Sequence, residues 1–355
     1  MDAHQAEVSP IQIGTRRIGP GQPPYVVAEM SANHGGSFQR ARAIVEAAAR
    51  AGADAVKLQT YTPETLTIDC HRKPFRIEAG PWAGRSLYEL YSEAAMPWQW
   101  QPRLEQVATD LGIQLFSTPF DASAVDFLEG MDVPAYKIAS FELVDLPLLE
   151  RVARTGKPVL VSTGMATLGE IEEAVGALKA AGAQQIALLK CTSAYPAEPA
   201  QMNLRTIPHL AATFGVPVGL SDHSLDPAVP PAAVAVGAVI IEKHFTLSRS
   251  DPTPDAAFSL QPDELAALVR AVRTVHQALG GVRYGPSEQE RPGRRLRRSL
   301  WAVETIRAGQ TLTERNVRSI RPGDGLPPRQ IREVLGRKAR VDIPRGTPLR
   351  WELIE

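Results

Sequence analysis

Cysteine is scarce in this sequence. Its 355 residues include two, Cys70 and Cys191, and neither belongs to a CxxC or other metal-type spacing. That excludes a disulfide framework and points to a reducing compartment. Long apolar runs are lacking too: the longest, residues 232–241, falls well short of the ~20 needed to cross a bilayer. No charge of one sign dominates, since 39 Lys and Arg meet 39 Asp and Glu. A global pull toward nucleic acid or a membrane surface is therefore not expected. The first residues offer Asp2, His4 and Glu7 in place of a basic patch and an apolar core, so no secretory leader is expected and a cytoplasmic protein is.

What is present is alternation. Apolar runs of strand length recur at residues 25–30, 55–59, 113–117, 135–138, 158–162 and 186–190, and twice more in the stretches ending at His223 and His244, with helical patterns between them. Near-continuous apolar strands in that number predict an α/β fold, a (β/α)8 TIM barrel rather than a doubly wound sheet. Polar side chains gather at the C-terminal strand ends: Glu29, Lys57 with Gln59, Thr118, Lys137 with Ser140, Ser162, Ser193 with Tyr195, Ser221 with His223, and Glu242 with His244. A barrel collects all those ends around one pocket.

Residues 239–247 are the sharpest stretch. Side chains alternate along a strand, so Ile240, Glu242 and His244 share one face and Lys243 takes the other. The near-match Leu220-Ser221-Asp222-His223 lies one unit upstream. Two histidines on neighbouring strand ends, beside Asp222 and Glu242, suit an open site for Mn²⁺, Co²⁺ or Mg²⁺; structural zinc wants four closed ligands. Mn²⁺ is the expected cofactor, and such an ion polarises a carbonyl. Lys57 and Lys137, with the hydroxyls of Thr118, Ser140, Ser162 and Ser221, suggest a cradle for an anion bearing both phosphate and carboxylate. Phosphoenolpyruvate has both. A Schiff-base aldolase using Lys137 or Lys190 is a rival reading, and a sugar- or ice-binding protein is the rival outside catalysis.

Two further segments stand apart. Residues 61–97 are a long insertion rich in Trp, Tyr and Pro. Residues 284–298 turn to Pro, Gly, Ser, Glu and Arg and read as a linker, which leaves a barrel domain over 1–283 and a small domain over 299–355. The basic run Arg294-Arg295-Leu296-Arg297-Arg298 reads as a solvated or interface segment, not a nucleic-acid site. In the small domain Ile306, Gly309 and Leu312 are echoed at the same spacing by Ile343, Gly346 and Leu349, which suggests a compact β-rich module. Fewer than ~60 residues bury a marginal core, so this module is expected to lean on a larger surface.

Five ordered stretches carry a resemblance: Ala28-Glu29-Met30-Ser31-Ala32-Asn33-His34-Gly35, Ala53-Asp54-Ala55-Val56-Lys57-Leu58-Gln59, Tyr136-Lys137-Ile138-Ala139-Ser140, Gly219-Leu220-Ser221-Asp222-His223 and Ile241-Glu242-Lys243-His244-Phe245. Together they resemble the sialic acid synthase family. Residues 299–355, with Ser319-Ile320-Arg321-Pro322-Gly323, are similar to its antifreeze-like (SAF, β-clip) domain. The segments at residues 82–91, 119–121 and 190–196 look most like the pseudaminic acid branch, and Ser193 stands where sialic acid makers typically carry Asn.

The resemblance implies condensation of phosphoenolpyruvate with an open-chain N-acetylated amino sugar. The expected sugar is 2,4-diacetamido-2,4,6-trideoxy-L-altrose, with ManNAc or a related diacetamido sugar as the alternative. His223 and His244 would hold the metal, and Lys57, Thr118, Lys137, Ser140, Ser162, Ser193 and Ser221 the phosphoenolpyruvate. Gln59, Tyr195, Asp255 and Glu29 would contact the sugar, with Glu29 and Glu242 as candidate proton handlers. Arg321 would come from the second subunit of a domain-swapped homodimer. The stretch Asp251-Pro252-Thr253-Pro254 departs from the family's usual Gly-Gly-Pro, and Leu296 replaces a common aromatic residue.

Overall fold

In the computed structural model, which describes residues 8–80 and 82–355, the eight apolar runs close into a parallel barrel. After a hairpin of β1 (Ile11–Ile13) and β2 (Arg16–Ile18), the staves are β3 (Tyr25–Glu29), β4 (Ala55–Thr60), β5 (Gln114–Pro119) and β6 (Tyr136–Ile138). They continue with β7 (Val159–Ser162), β8 (Ile186–Cys191), β9 (Val218–Asp222) and β10 (Ile240–His244). Each stave pairs with the next in sequence, and β10 closes the ring on β3. The (β/α)8 expectation holds.

Alternation along each strand divides the side chains into two layers. Val26, Ala28, Val56, Leu58 and Ile241 pack outward into the cluster shared with the helices. Val27, Ala55, Phe116, Leu160, Leu189 and Ile240 pack inward on the barrel axis. The same parity carries Glu29, Lys57, Lys137, Glu242 and His244 inward at the C-terminal ends. Register levels them: His244 pairs with Glu29, and Glu29 with Lys57. Gly219 makes closure possible, because a Cβ there would lie 2.5 Å from the Ile240 carbonyl oxygen and 2.6 Å from Leu189.

The outer helices follow from their caps and stripes. In Phe38–Ala51, Ser37 accepts from the Arg40 N–H, Gly52 ends the helix at φ 87°, and Ala41, Ile44, Val45 and Ala48 form the buried face. In Leu168–Ala180 a Thr167–Glu170 capping box sets the start. Ahead of the first stave lies the β1–β2 hairpin, which no pattern in the sequence announces. Its Ile11, Ile13 and Ile18 join the inner cluster with Tyr25 and Phe116, at the N-terminal end of the barrel.

The insertion after β4 contains the short helix Pro63–Leu66 and the helix Leu87–Ala94, which starts at a Ser86–Glu89 capping box. Between them Arg76 bridges Ser86, and the loop they close turns at Gly80 and Gly84, with φ 86° and 90°. Among the described residues no helix is long and apolar enough to cross a membrane.

The chain divides after Gly280 into two units. The second pairs β11 (Ser299–Ala302) with β12 (Val317–Ile320) in antiparallel fashion. Its core includes Leu300, Val317, Ile306, Leu312, Ile343 and Leu349. The internal echo is thus structural: Ile306 and Ile343 exchange backbone hydrogen bonds of 2.9 and 2.7 Å.

Candidate active site

At the C-terminal mouth of the barrel two carboxylates and two ammonium groups interlock. Glu29 Oε2 lies 2.7 Å from Lys57 Nζ, and Lys57 also donates to Thr118 Oγ1 at 3.2 Å. Glu242 Oε1 lies 3.6 Å from Lys137 Nζ and 4.0 Å from Lys57 Nζ, and accepts from Ser221 Oγ at 3.0 Å. Burial pushes Glu29 up, more than Lys57 beside it pulls it down. Burial opposes charge on Glu242 as well, but Lys137 and Lys57 outweigh it and hold that carboxyl below its ordinary value. Similar acids are pushed apart, so Glu29 is the one that takes a proton more readily. Lys137, with less compensation, is drawn down by burial.

A second arm runs from Glu29 to the loop after β10. Gln59 Nε2 donates to Glu29 Oε1 and to Ser31 Oγ, both at 2.9 Å. Ser31 in turn donates to Asp255 Oδ2 at 2.5 Å. Burial pushes Asp255 up.

Hydroxyls line the side formed by β6, β7 and β8. Ser140 Oγ accepts from the Gly164 N–H at 3.1 Å, and Cys191 Sγ lies 3.6 Å from Ser193 Oγ. Ser162 Oγ is buried with no partner. A buried hydroxyl without a partner is costly, and the inward parity of Leu160 turns this one toward the barrel mouth. Gly164 leaves both hydroxyls in place, since a Cβ there would collide with Ser193 Oγ and stand 2.7 Å from Ser140 Oγ, so that both would have to turn away.

The histidines form the third side. The rings of His223 and His244 are 5.3 Å apart. His223 Nδ1 is bonded to the Thr192 carbonyl oxygen at 3.0 Å, so Nε2 is the nitrogen that could take a metal ion. His244 Nδ1 is buried with no partner, and burial, then His223, keep that ring neutral, the form that ligates. Glu242 Oε2 also lacks a partner. The donor set fits an open two-histidine site. Among the described residues no group of three or more His, Cys, Asp or Glu converges as a closed site would. Tyr195 stacks on His223 at 4.3 Å and 31°.

Four residues fall differently from the sequence reading, or outside it. Asp222, expected beside the metal, points outward to Lys243 Nζ at 2.9 Å. Lys190, the rival Schiff-base lysine, also faces outward and donates to the Cys191 carbonyl at 2.6 Å. Lys137 alone of that pair reaches the pocket, where Glu242 binds it. Glu142, just past Ser140, was missed. Its Oε2 is buried without a partner, and burial raises it to about 7. Cys191 was also missed as a site residue: burial would raise its thiol, but His223 draws it down to about 7. Arg321 belongs to the second unit, one residue past β12.

An active site of polar strand ends around a barrel mouth defines the class. The NeuB family model matches residues 44–284 and the SAF domain model residues 297–355. The chain belongs to the NeuB family. It is similar to the pseudaminic acid synthase of Helicobacter pylori, 42% identical over 336 residues that cover 94% of this chain and 98% of that protein. The pseudaminic acid synthase of Campylobacter jejuni is 44% identical over 326 residues, 92% of this chain and 95% of that one. Among solved structures it resembles the N-acetylneuraminic acid synthetase of Leptospira borgpetersenii at TM-score 0.73 and 32% identity, over 82% of this chain and 96% of that chain.

Proposed function

We propose that the barrel mouth condenses phosphoenolpyruvate with 2,4-diacetamido-2,4,6-trideoxy-L-altrose and water, to give pseudaminic acid and phosphate. The observation that carries this is the convergence of Lys57 and Lys137 on Glu242 Oε1 at the mouth, where Ser162 lies with a free hydroxyl. Its similarity to pseudaminic acid synthases over more than nine-tenths of the chain selects the sugar.

Lys57 and Lys137 bind the anionic substrate, with hydroxyls from Thr118, Ser140, Ser162, Ser193 and Ser221. Gln59, Tyr195 and Asp255 orient the sugar. His223 and His244 hold a divalent ion, Mn²⁺ first, which when bound makes the sugar aldehyde more electrophilic. C3 of the enol bonds to the aldehyde carbon, whose oxygen gains a proton. Water adds at C2, and the C2–O bond to phosphate then breaks. Glu29 carries the proton exchanged with that water, while Glu242 stays ionised between the two ammonium groups. Arg321 is contributed by the second copy in a domain-swapped homodimer.

Phosphate release is measured with phosphoenolpyruvate and a panel of sugars. The 6-deoxy diacetamido sugar is expected to lead. Preference for ManNAc would move the chain to N-acetylneuraminate synthesis, and preference for a D-configured diacetamido sugar to legionaminate synthesis. Metal analysis of the purified protein checks the ion: bound Mn²⁺ should fall to background in both His223→Ala and His244→Ala, and full retention in both would remove the assignment.

A further inference from the structure

The Trp82 side chain has no part in the chemistry above, yet it is fastened over the sugar side of the mouth. It projects from the loop between Arg76 and Ser86. Its indole N–H donates to the Pro254 carbonyl oxygen at 3.1 Å. The ring meets Phe258 edge-on at 6.3 Å and Tyr195 at 5.8 Å. Those two rings lie against the candidate metal ligands, Tyr195 on His223 at 4.3 Å and Phe258 on His244 at 5.1 Å. A continuous aromatic wall therefore runs from the imidazoles to Trp82.

The carbonyl that fixes Trp82 belongs to the loop of Asp251-Pro252-Thr253-Pro254. That loop is itself anchored: Arg40 pairs with Asp251, and Thr253 Oγ1 donates to Asn33 Oδ1 at 2.8 Å. The next residue, Asp255, is bound by Ser31. Loop and indole form one latch on one side of the mouth.

We infer that Trp82 is a specificity-determining residue, the apolar surface that receives the C6 methyl end of the open-chain sugar. The inference rests on the function proposed above. With the aldehyde carbon beside the imidazoles, five carbon–carbon bonds of ~1.5 Å carry C6 on the order of 6 Å away, a reach comparable to the 5.8 Å that separates the Tyr195 and Trp82 rings. An indole face suits a methyl group and gives nothing to a hydroxymethyl, whose hydroxyl would lose water without gaining a partner. Apolar surfaces discriminate modestly, so the wild-type preference for the 6-deoxy sugar over its 6-hydroxy counterpart should be on the order of 10- to 100-fold.

The test is steady-state kinetics of wild type, Trp82→Ala and Trp82→Phe with both sugars. In Trp82→Ala, KM for the 6-deoxy sugar should rise by about tenfold and the preference shrink to about threefold or less. KM for phosphoenolpyruvate should hold, which also reports an intact barrel. Trp82→Phe, which keeps an aromatic face, should recover most of the preference. If wild type favours the 6-deoxy sugar and Trp82→Ala keeps that preference, the assignment of Trp82 is wrong and the function stands. An equal rise in both KM values would make Trp82 a general support of the mouth and also overturn it. If wild type favours a 6-hydroxy sugar, the function and this inference fall together.

Discussion

Glu142 joins burial to a measurable pH dependence. Its carboxyl is raised from an ordinary 4.5 to about 7 by burial, and Oε2 has no partner. Between those values the folded protein keeps a proton that the unfolded chain has lost, so this residue makes stability fall as pH rises through the window. Glu142→Gln removes the titration. Its melting temperature should match wild type near pH 4.5 and exceed it at pH 8, by the equivalent of about 1–3 kcal/mol. A constant offset across that range would show that Glu142 ionises freely.

Residue-scale legibility followed strand parity. Glu29, Lys57, Gln59, Lys137, Glu242 and His244 were readable because each closes an apolar run at its C-terminal end, where a barrel opens. Asp222 and Lys190 were misread for the same reason. Barrel staves are buried on both faces, so the pattern alone does not mark which parity is inside. Leu189 packs inward, which sends Lys190 outward and turns Cys191 to the pocket.

Among the elements, the loops after β6, β7 and β8 meet through a single glycine. Gly164 donates its N–H to Ser140 and leaves no room for a Cβ beside Ser193. Gly164→Ala should therefore turn the Ser140 and Ser193 hydroxyls away and raise KM for phosphoenolpyruvate by about tenfold or more, with sugar KM much less affected. That estimate takes the loss of one or two hydrogen bonds to a charged ligand at about 1.5–3 kcal/mol each. Unchanged phosphoenolpyruvate kinetics would place the substrate away from Ser140 and Ser193.

Strands of ordinary length were legible, from Tyr25–Glu29 to Ile240–His244. The β1–β2 hairpin was not. Three-residue strands carry too little periodicity to register, and their role as a plug depends on contacts with Tyr25 and Phe116 that only the closed barrel creates. The Trp82 latch was invisible for a related reason, since Trp82 and Pro254 meet across 172 residues of chain.

For the whole molecule, the second unit's small core and Arg321 bear on the proposed exchange of domains. Mixing Arg321→Ala with His244→Ala chains should restore one complete site per heterodimer when Arg321 crosses between subunits. No recovery after demonstrated subunit exchange would return Arg321 to its own chain. Condensation with loss of phosphate through C–O cleavage at the Lys57–Lys137 mouth can be followed with an isotope. Phosphoenolpyruvate labelled with ¹⁸O at the oxygen bridging C2 and phosphorus is turned over with the 6-deoxy diacetamido sugar, and both products are weighed by mass spectrometry. The label should appear in the released phosphate, with a nine-carbon keto acid as the other product; label retained in the organic product would mean P–O cleavage and overturn the proposed reaction.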